Sequence, residues 1–170
     1  MPAKPQTSKE YFTQLTLIYA PLVLIQFAFG GVSYYLVSTG QFPTNPQMVG
    51  TYKIVALVFV AAGVLSSSFI SRAQFKAIKQ KPTLQDKMKA YRGALLIKWA
   101  LLETPAMFCI VCFLLTGSYF ILGLAAPTII LLVNYRPTVA GACMDLELSP
   151  AEKTLIENPN STIAEINQPN

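Results

Sequence analysis

The chain has 170 residues, of which 53% are hydrophobic and only 12% are charged, with a net charge of +5. A soluble domain typically carries about 25% charged residues, so the composition excludes an ordinary soluble domain and indicates an integral membrane protein. The sequence has no histidine, no phosphate-binding loop and no cluster of metal ligands. We therefore expect no enzyme activity, no catalytic residues, no metal, no cofactor and no nucleic-acid partner.

Four apolar segments follow in chain order, at about 15–37, 49–70, 94–115 and 119–135. A helix that crosses a hydrocarbon core of about 30 Å needs about 20 mostly apolar residues, and the first three segments reach this length. The fourth has about 17 residues, so we expect it to stand nearly upright or to thin the bilayer. Backbone polar groups in lipid must be bonded within their own segment, which predicts that all four are helices.

Positive charges lie almost entirely on one side of these spans. Of the 13 Lys and Arg residues, 11 lie before the first span, between the second and third, or after the fourth. Lys53 lies near the opposite face, and Lys98 lies inside the third span. Because basic residues accumulate on the cytoplasmic side of membrane proteins, we expect both termini and the 71–93 loop in the cytoplasm. The predicted location is the inner (plasma) membrane.

Three capping boxes predict where helices begin. In each, a hydroxyl accepts a hydrogen bond from a backbone N–H, while a carboxylate three residues later reaches back to the cap. The pairs are Thr7 with Glu10, Thr83 with Asp86, and Ser149 with Glu152. They predict the start of the first helix, of a helix that continues into the third span, and of a short helix in the tail.

The loop between the second and third spans is predicted to be a basic helical hairpin. We expect the second helix to continue toward Lys79 and to break at Lys81–Pro82. The seven cations of this loop are Arg72, Lys76, Lys79, Lys81, Lys87, Lys89 and Arg92. They suit the anionic lipids of a cytoplasmic face. The topology signal alone explains them, and a docking site for an acidic partner or for lipid is the alternative.

The sequence divides into a transmembrane domain, 1–137, and a cytoplasmic tail, 138–170. Five acidic residues of the tail outnumber its single Lys153. We expect the tail to lie against the basic hairpin by charge complementarity, with one short helix after Ser149. Beyond Asn158 the tail is rich in Asn, Pro, Ser and Thr, a composition typical of disorder.

Glu103 lies about nine residues into the third span, close to mid-bilayer. A charged residue at that depth costs about 2.5–3.5 kcal/mol on insertion scales, so Glu103 is expected to face the bundle interior and to have a partner. At about 1.5 Å of rise per residue, Gln26 and Thr128 fall at a similar depth, and Thr104 adjoins Glu103. The sequence predicts that Gln26, Glu103, Thr104 and Thr128 form one hydrogen-bonded polar layer.

Three roles are open for this polar layer. Its hydrogen bonds can hold helices together, Glu103 can bind a proton or a cation, or the layer can contact a small molecule or a lipid headgroup. Lys98 lies five residues before Glu103, which puts the two about 140° apart around the helix. Lys98 is therefore expected to extend toward the cytoplasm rather than to pair with Glu103.

Small residues indicate where helices approach closely. Ala62 with Ser66, and Gly63 with Ser67, form two small-x-x-x-small pairs in the second span, a pattern that favours close packing. Pro105 is expected to kink the third span. Aromatic residues near the span ends are expected to lie at the two interfaces. They are Tyr34, Tyr35, Tyr52 and Tyr119 at the outer side, and Tyr11, Tyr91, Trp99 and Tyr135 at the inner side.

Several short runs between the second and fourth spans carry a resemblance to a known family. They are Thr83–Leu84, Lys87, Tyr91–Arg92, Leu101–Leu102–Glu103 and Tyr135–Arg136–Pro137. In these runs the chain resembles a small bacterial family of uncharacterised four-helix membrane proteins. The resemblance implies the same four-helix topology, and it implies no activity.

The predicted fold is all-α, an integral membrane four-helix bundle with a basic cytoplasmic hairpin between helices two and three. Small size, short outer loops and the lack of a catalytic set favour a non-catalytic subunit or assembly factor of a membrane complex. Its expected partners are the lipid bilayer and other membrane subunits or further copies of the chain. The alternative is a small proton- or ion-coupled transporter or channel that uses Glu103.

Overall fold

The computed structural model describes residues 4–166, with side-chain surroundings for 5–164, and it is almost entirely helical. The elements in chain order are β1 (Lys4–Thr7), α1 (Ser8–Ser38), a 3-10 helix (Pro46–Met48), α2 (Val49–Lys79), α3 (Leu84–Thr116), α4 (Tyr119–Asn134), α5 (Val139–Leu146), α6 (Pro150–Glu157) and β2 (Thr162–Ile166). The predicted helical class is confirmed, and the two-stranded sheet is an addition to it. The break predicted at Lys81–Pro82 is also confirmed, because α2 ends at Lys79 and α3 begins at Leu84.

Helices α1, α2 and α3 are each long and apolar enough to cross a membrane. Helix α4 has 16 residues, which at about 1.5 Å per residue gives a length of about 24 Å. That is less than a hydrocarbon core of about 30 Å. Helix α4 passes the same test only together with α5, to which it is bent by 93°. The described residues thus contain three membrane-length helices, or four if α4 and α5 form one broken span.

The three predicted helix starts are confirmed by their hydrogen bonds. The backbone N–H of Thr7 donates to Glu10 Oε2 at 3.0 Å, and the N–H of Glu10 donates to Thr7 Oγ1 at 3.3 Å. At α3, the N–H of Asp86 donates to Thr83 Oγ1 at 3.1 Å, and the Thr83 hydroxyl donates to the Asp86 carboxylate at 2.7 Å. Both halves of the capping box at α6 are present. These bonds satisfy N–H groups that the first turn of a helix leaves unpaired.

One compact unit contains Ala20–Ser68 and Lys98–Tyr135. Its core consists of small and medium apolar side chains from three helices, namely Ala56, Val60, Ala106, Cys109, Ile110, Cys112, Ile121 and Ala125. Helices of this unit also have apolar and exposed faces, for example at Leu24 of α1 and at Ile54 and Leu65 of α2. A helix that is apolar on its buried and exposed faces alike is typical of a membrane span.

Helices α2 and α3 approach closely at Gly63. A Cβ atom built on Gly63 would lie 2.7 Å from Pro105 Cγ and 2.9 Å from the carbonyl oxygen of Leu101. Pro105 has no N–H to donate to the carbonyl four residues before it, and that Leu101 carbonyl is the one that lies against Gly63. The close contact predicted from small residues on α2 is therefore confirmed at Gly63. Helix α3 continues through Pro105 without a break.

The second compact unit contains the chain up to Tyr19, Phe69–Ile97 and the chain from Arg136. Its buried side chains come from α1, α2, α3 and the tail, and they include Tyr11, Leu15, Phe75, Met88, Tyr91, Leu95, Leu146 and Ile156. The Tyr11 hydroxyl donates to the carbonyl of Met88 at 2.7 Å. Tyr11 and Tyr91 are thus buried in protein, which corrects the prediction that they anchor the chain at an interface.

The tail differs from its prediction in two ways. It contains two short helices, α5 and α6, where the sequence predicted one. The disorder expected beyond Asn158 does not hold for Thr162–Ile166, which forms β2 and pairs antiparallel with β1. Ile163 and Ala164 are buried, and this burial stabilises a strand that a polar composition does not reveal. Residues 167–170, to which the predicted disorder also applied, lie outside the described residues.

Gly63→Ala is predicted to destabilise the protein, because the new methyl group overlaps Pro105 and the Leu101 carbonyl. Overpacking costs about 1–3 kcal/mol, more than the gain of about 1 kcal/mol from replacing Gly by Ala in a helix. Thermal unfolding in detergent measures the effect. Gly31→Ala is the matched control, because nothing lies within 4 Å of a Cβ at Gly31. Equal melting temperatures for the two variants would contradict the prediction.

Candidate functional site

Glu103 is half-buried in α3, and Thr104 beside it is exposed. The Thr104 hydroxyl donates to the carbonyl of Ala100 at 2.7 Å, one turn earlier in the same helix. In α4, Thr128 is fully buried, and its hydroxyl donates to the carbonyl of Ala125 at 2.8 Å. Both threonines therefore use their hydroxyl donors on carbonyls of their own helices, as Thr commonly does inside helices.

Gln26 is only 1% exposed, and neither its side-chain nitrogen nor its side-chain oxygen has a hydrogen-bond partner. Ser33 is fully buried, and its hydroxyl also lacks a partner. Seven residues are almost two helical turns, so the two side chains lie on one face of α1. Gly30 lies on that face, and a Cβ built there would meet Ile110 of α3 at 3.6 Å. Ser33 was not among the predicted residues, although its spacing of seven from Gln26 places it on the same face of α1.

The predicted polar layer is thus not one hydrogen-bonded cluster in the described structure. Gln26 makes no hydrogen bond, and the hydroxyls of Thr104 and Thr128 are used locally. Counting residues along a span gives the depth of a side chain but not the direction in which it points. It also does not show that a threonine hydroxyl can donate to a carbonyl one turn earlier in its own helix. The role of Glu103 in binding a proton or a cation stays a prediction.

Lys98 is 6% exposed, and its Nζ lies 3.3 Å from the centre of the Tyr135 ring. The neighbouring Trp99 is fully buried, and its indole N–H donates to the carbonyl of Tyr135 at 2.9 Å. A cation over an aromatic face is attracted by the ring quadrupole. Lys98 is therefore packed against the end of α4, which corrects the expectation that it extends to the cytoplasm.

The acidic tail binds the basic hairpin through two ion pairs. Lys87 Nζ lies 2.7 Å from Glu152 Oε1, and these side chains are only 13% and 18% exposed. Lys79 Nζ lies 2.7 Å from Glu147 Oε1, in a more exposed position. Partly buried pairs are screened less by salt than exposed ones. The expected charge complementarity between tail and hairpin is confirmed by these contacts.

A charge-assisted hydrogen bond supports the same interface. The Tyr91 hydroxyl donates to Asp145 Oδ2 at 2.9 Å, and the Phe75 ring lies 5.6 Å from the Tyr91 ring between centroids. Burial, followed by the negative charge of Asp145, raises the pKa of Tyr91. Tyr91 therefore stays protonated and remains a donor over the whole physiological pH range.

The tail changes which hairpin cations can serve as a docking surface. Lys79 and Lys87 are engaged by Glu147 and Glu152, so they are not available to another partner while the tail is in place. The other five predicted docking residues lie outside the described ion pairs. Arg72, Lys76, Lys81 and Lys89 are exposed, and Arg92 is half-buried.

Comparisons of the chain with family models, with curated proteins and with solved structures give no match. Within residues 4–166, no group of three or more His, Cys, Asp or Glu side chains could hold a metal ion. The resemblance to a bacterial membrane protein family stays a prediction. Function therefore has to be argued from the geometry of the chain.

Gln26→Leu is predicted to stabilise the protein by about 1–3 kcal/mol, because it removes a buried amide that has no partner and keeps most of the volume. Thermal unfolding in detergent measures the change. Ile110→Ala is the contrasting variant, expected to destabilise through a cavity on the same packed surface. Destabilisation by Gln26→Leu would show instead that the amide binds a polar group in the folded protein.

Acidification is predicted to loosen the tail. Partial burial acts to raise the pKa of Glu152, but the hydrogen bonds from Lys87 and Ser149 outweigh it and hold this pKa below the ordinary value. A carboxyl group with a lowered pKa stabilises the fold above its ordinary pKa of 4.5. That contribution is lost as the pH falls through the lowered value.

Hydrogen exchange of the α6 amides, measured from pH 7 down to about pH 3, checks this expectation. Lys87→Met should remove most of the pH dependence, because Glu152 then loses its ion pair. Lys89→Met is the control, since Lys89 lies outside the described ion pairs. If Lys87→Met and the wild type lose protection along the same pH curve, the Lys87–Glu152 pair does not hold the tail.

Proposed function

We propose that the chain is a multi-pass protein of the inner (plasma) membrane, in which α1, α2 and α3 cross fully and α4 forms a short fourth span. The most apolar windows of α1 and α2 are only 17% and 22% buried within the protein. This apolar surface needs lipid or other membrane helices as its environment. The bias of 11 basic residues to one side supports cytoplasmic termini and a cytoplasmic α2–α3 hairpin.

Within this membrane setting, the chain acts as a non-catalytic subunit or assembly factor of a larger membrane complex. The observation that carries this proposal is an open groove of about 220 Å³ between α2 and α3. Its walls are Phe59, Ala62, Gly63, Ser66, Leu101, Thr104 and Pro105. Small side chains on one helix let a neighbouring helix approach to backbone distance, so the groove suits a transmembrane helix of another subunit or of a second copy.

Purification of the native protein in mild detergent, followed by mass spectrometry of bound proteins, tests the proposal. We expect stoichiometric membrane subunits to co-purify with the wild type. Ala62→Leu fills the groove and is expected to release them, while Gly31→Leu, placed in open space on α1, is expected to retain them. A protein that purifies only as a monomer would contradict a role as a subunit.

A small proton- or ion-coupled transporter or channel is the second candidate. It is favoured by half-buried Glu103 together with the unpaired polar atoms of Gln26 and Ser33, all of which lie in one compact unit. Polar groups inside a membrane span commonly mark ion or proton pathways. In this proposal Glu103 is the group that binds the proton or ion.

Glu103→Gln separates the two candidates, because it removes the ionisable group and keeps the shape. Vesicles that contain the purified protein and an internal pH-sensitive dye report proton movement driven by an imposed gradient. Transport by the wild type that Glu103→Gln abolishes would support the transporter, with Glu157→Gln in the exposed part of α6 as control. Co-purification of subunits with Glu103→Gln unchanged, and no transport by the wild type, would support the subunit.

A further inference from the structure

A groove between the ends of α2 and α3 nearest their connection lies within the unit that contains the tail. This hairpin groove has a volume of about 320 Å³, and its walls include Gln74, Ala77 and Ile78 of α2 with Ala90, Gly93 and Ile97 of α3. A Cβ built on Gly93 meets nothing within 4 Å, and Ile97 is 44% exposed. The groove is therefore open and mainly apolar.

The hairpin groove lies where the apolar sequence changes to a basic one. Ile97 belongs to the third apolar segment, whereas exposed Lys81 and Lys89 lie one turn beyond the groove toward the connection. Lys81 follows the end of α2, and its backbone N–H donates to the carbonyl of Ile78, a wall residue, at 3.0 Å. Lys89 precedes Gly93 by four residues, so the two lie on the same side of α3. One end of the groove is apolar and the other is lined by cations.

The carboxylate of Asp86 does not cancel the positive charge of both lysines at this end. Asp86 is the single acidic residue of the hairpin, and its carboxylate accepts a hydrogen bond from the Thr83 hydroxyl at the start of α3. Two exposed lysines beside one carboxylate leave a net positive charge. Charge complementarity therefore favours an anionic group at this end of the groove over a zwitterionic or cationic one.

The two ends of the groove match the two parts of an anionic phospholipid. Its phosphate suits the cationic end at Lys81 and Lys89, and its acyl chain suits the apolar end at Gly93 and Ile97.

We propose that the hairpin groove binds one anionic phospholipid. Its acyl chain packs along Gly93 and Ile97, and its phosphate lies at Lys81 and Lys89. The inference rests on the proposed membrane topology, which places this end of α2 and α3 at the cytoplasmic headgroups. The residues that line this groove are different from those of the groove proposed for a partner helix.

Native mass spectrometry of the full chain in detergent, titrated separately with phosphatidylglycerol and phosphatidylcholine, tests the site. The wild type is expected to retain one phosphatidylglycerol in clear preference to phosphatidylcholine. Lys81→Gln and Lys89→Gln should each weaken phosphatidylglycerol about fivefold, the effect expected for one cation at an anionic headgroup. Phosphatidylcholine binding should not change in these two variants.

Gly93→Leu blocks the path of the acyl chain and is expected to lower the first adduct of both lipids. Gly31→Leu is the matched control, because a Cβ at Gly31 also meets open space. Melting temperatures confirm that both variants are folded; if Gly93→Leu is not, the lysine variants decide the result. Equal affinity of the wild type for the two lipids, or lysine variants that bind phosphatidylglycerol as the wild type does, overturns the site.

The proposed topology is tested on the same cells by alkaline extraction of the membranes. If the protein stays in the extracted membranes and shows no lipid preference, only the lipid site is overturned. If alkali releases the protein, the membrane topology fails, and the lipid site fails with it. Subunits that co-purify with Gly93→Leu as they do with the wild type separate the lipid site from the proposed role as a subunit.

Discussion

The excess of apolar side chains over the positions that can bury them is the constraint on which the rest of this structure depends. Helices α1 and α2 bury only a narrow stripe each, and residues such as Leu24, Ile54 and Leu65 have no protein neighbour to cover them. In water this surface would drive aggregation. In lipid it costs nothing, and stability then comes from close packing and from satisfied polar groups. The helix contacts of the chain follow from that requirement.

The contact between Gly63 and Pro105 packs α2 against α3 and also covers a backbone carbonyl. Proline leaves a carbonyl of α3 without its helical donor, and a glycine on α2 lets the backbone cover that carbonyl at close range. Thr104 and Thr128 direct their hydroxyls at carbonyls of their own helices. Gln26 and Ser33 differ from these two threonines, because their buried polar atoms have no hydrogen-bond partner. Buried polar atoms without a partner lower the stability of a fold.

Charge organises the part of the chain outside the apolar spans. The tail neutralises Lys79 and Lys87 of the hairpin, and the pairing of β1 with β2 joins Lys4–Thr7 to Thr162–Ile166. Since Lys87 and Glu152 are mostly buried, this contact survives salt better than an exposed pair. The hairpin is therefore an internal docking surface for the tail. The cations that remain exposed include the two lysines of the proposed lipid site.

The sequence by itself determined the four longer helices and α6, because their signals are local, whereas α5 was not predicted. Apolar length marks α1, α2 and α3, and hydroxyl and carboxylate pairs mark their starts at Thr7 and Thr83. The charge bias likewise predicted that the tail meets the hairpin. Tertiary structure decided everything that depends on the direction of a side chain. It left Gln26 unbonded, placed Lys98 over Tyr135 and buried Tyr11 and Tyr91.

The sheet and the grooves also depend on the tertiary structure. Strand β2 forms because β1, more than 150 residues away in the chain, supplies its hydrogen bonds, and no local composition contains that information. The two α2–α3 grooves depend on which side chains of the two helices face one another in space. Depth and helix content are one-dimensional properties that a sequence carries directly. Which side chains face one another and which strands pair are three-dimensional properties, and they follow only from tertiary packing.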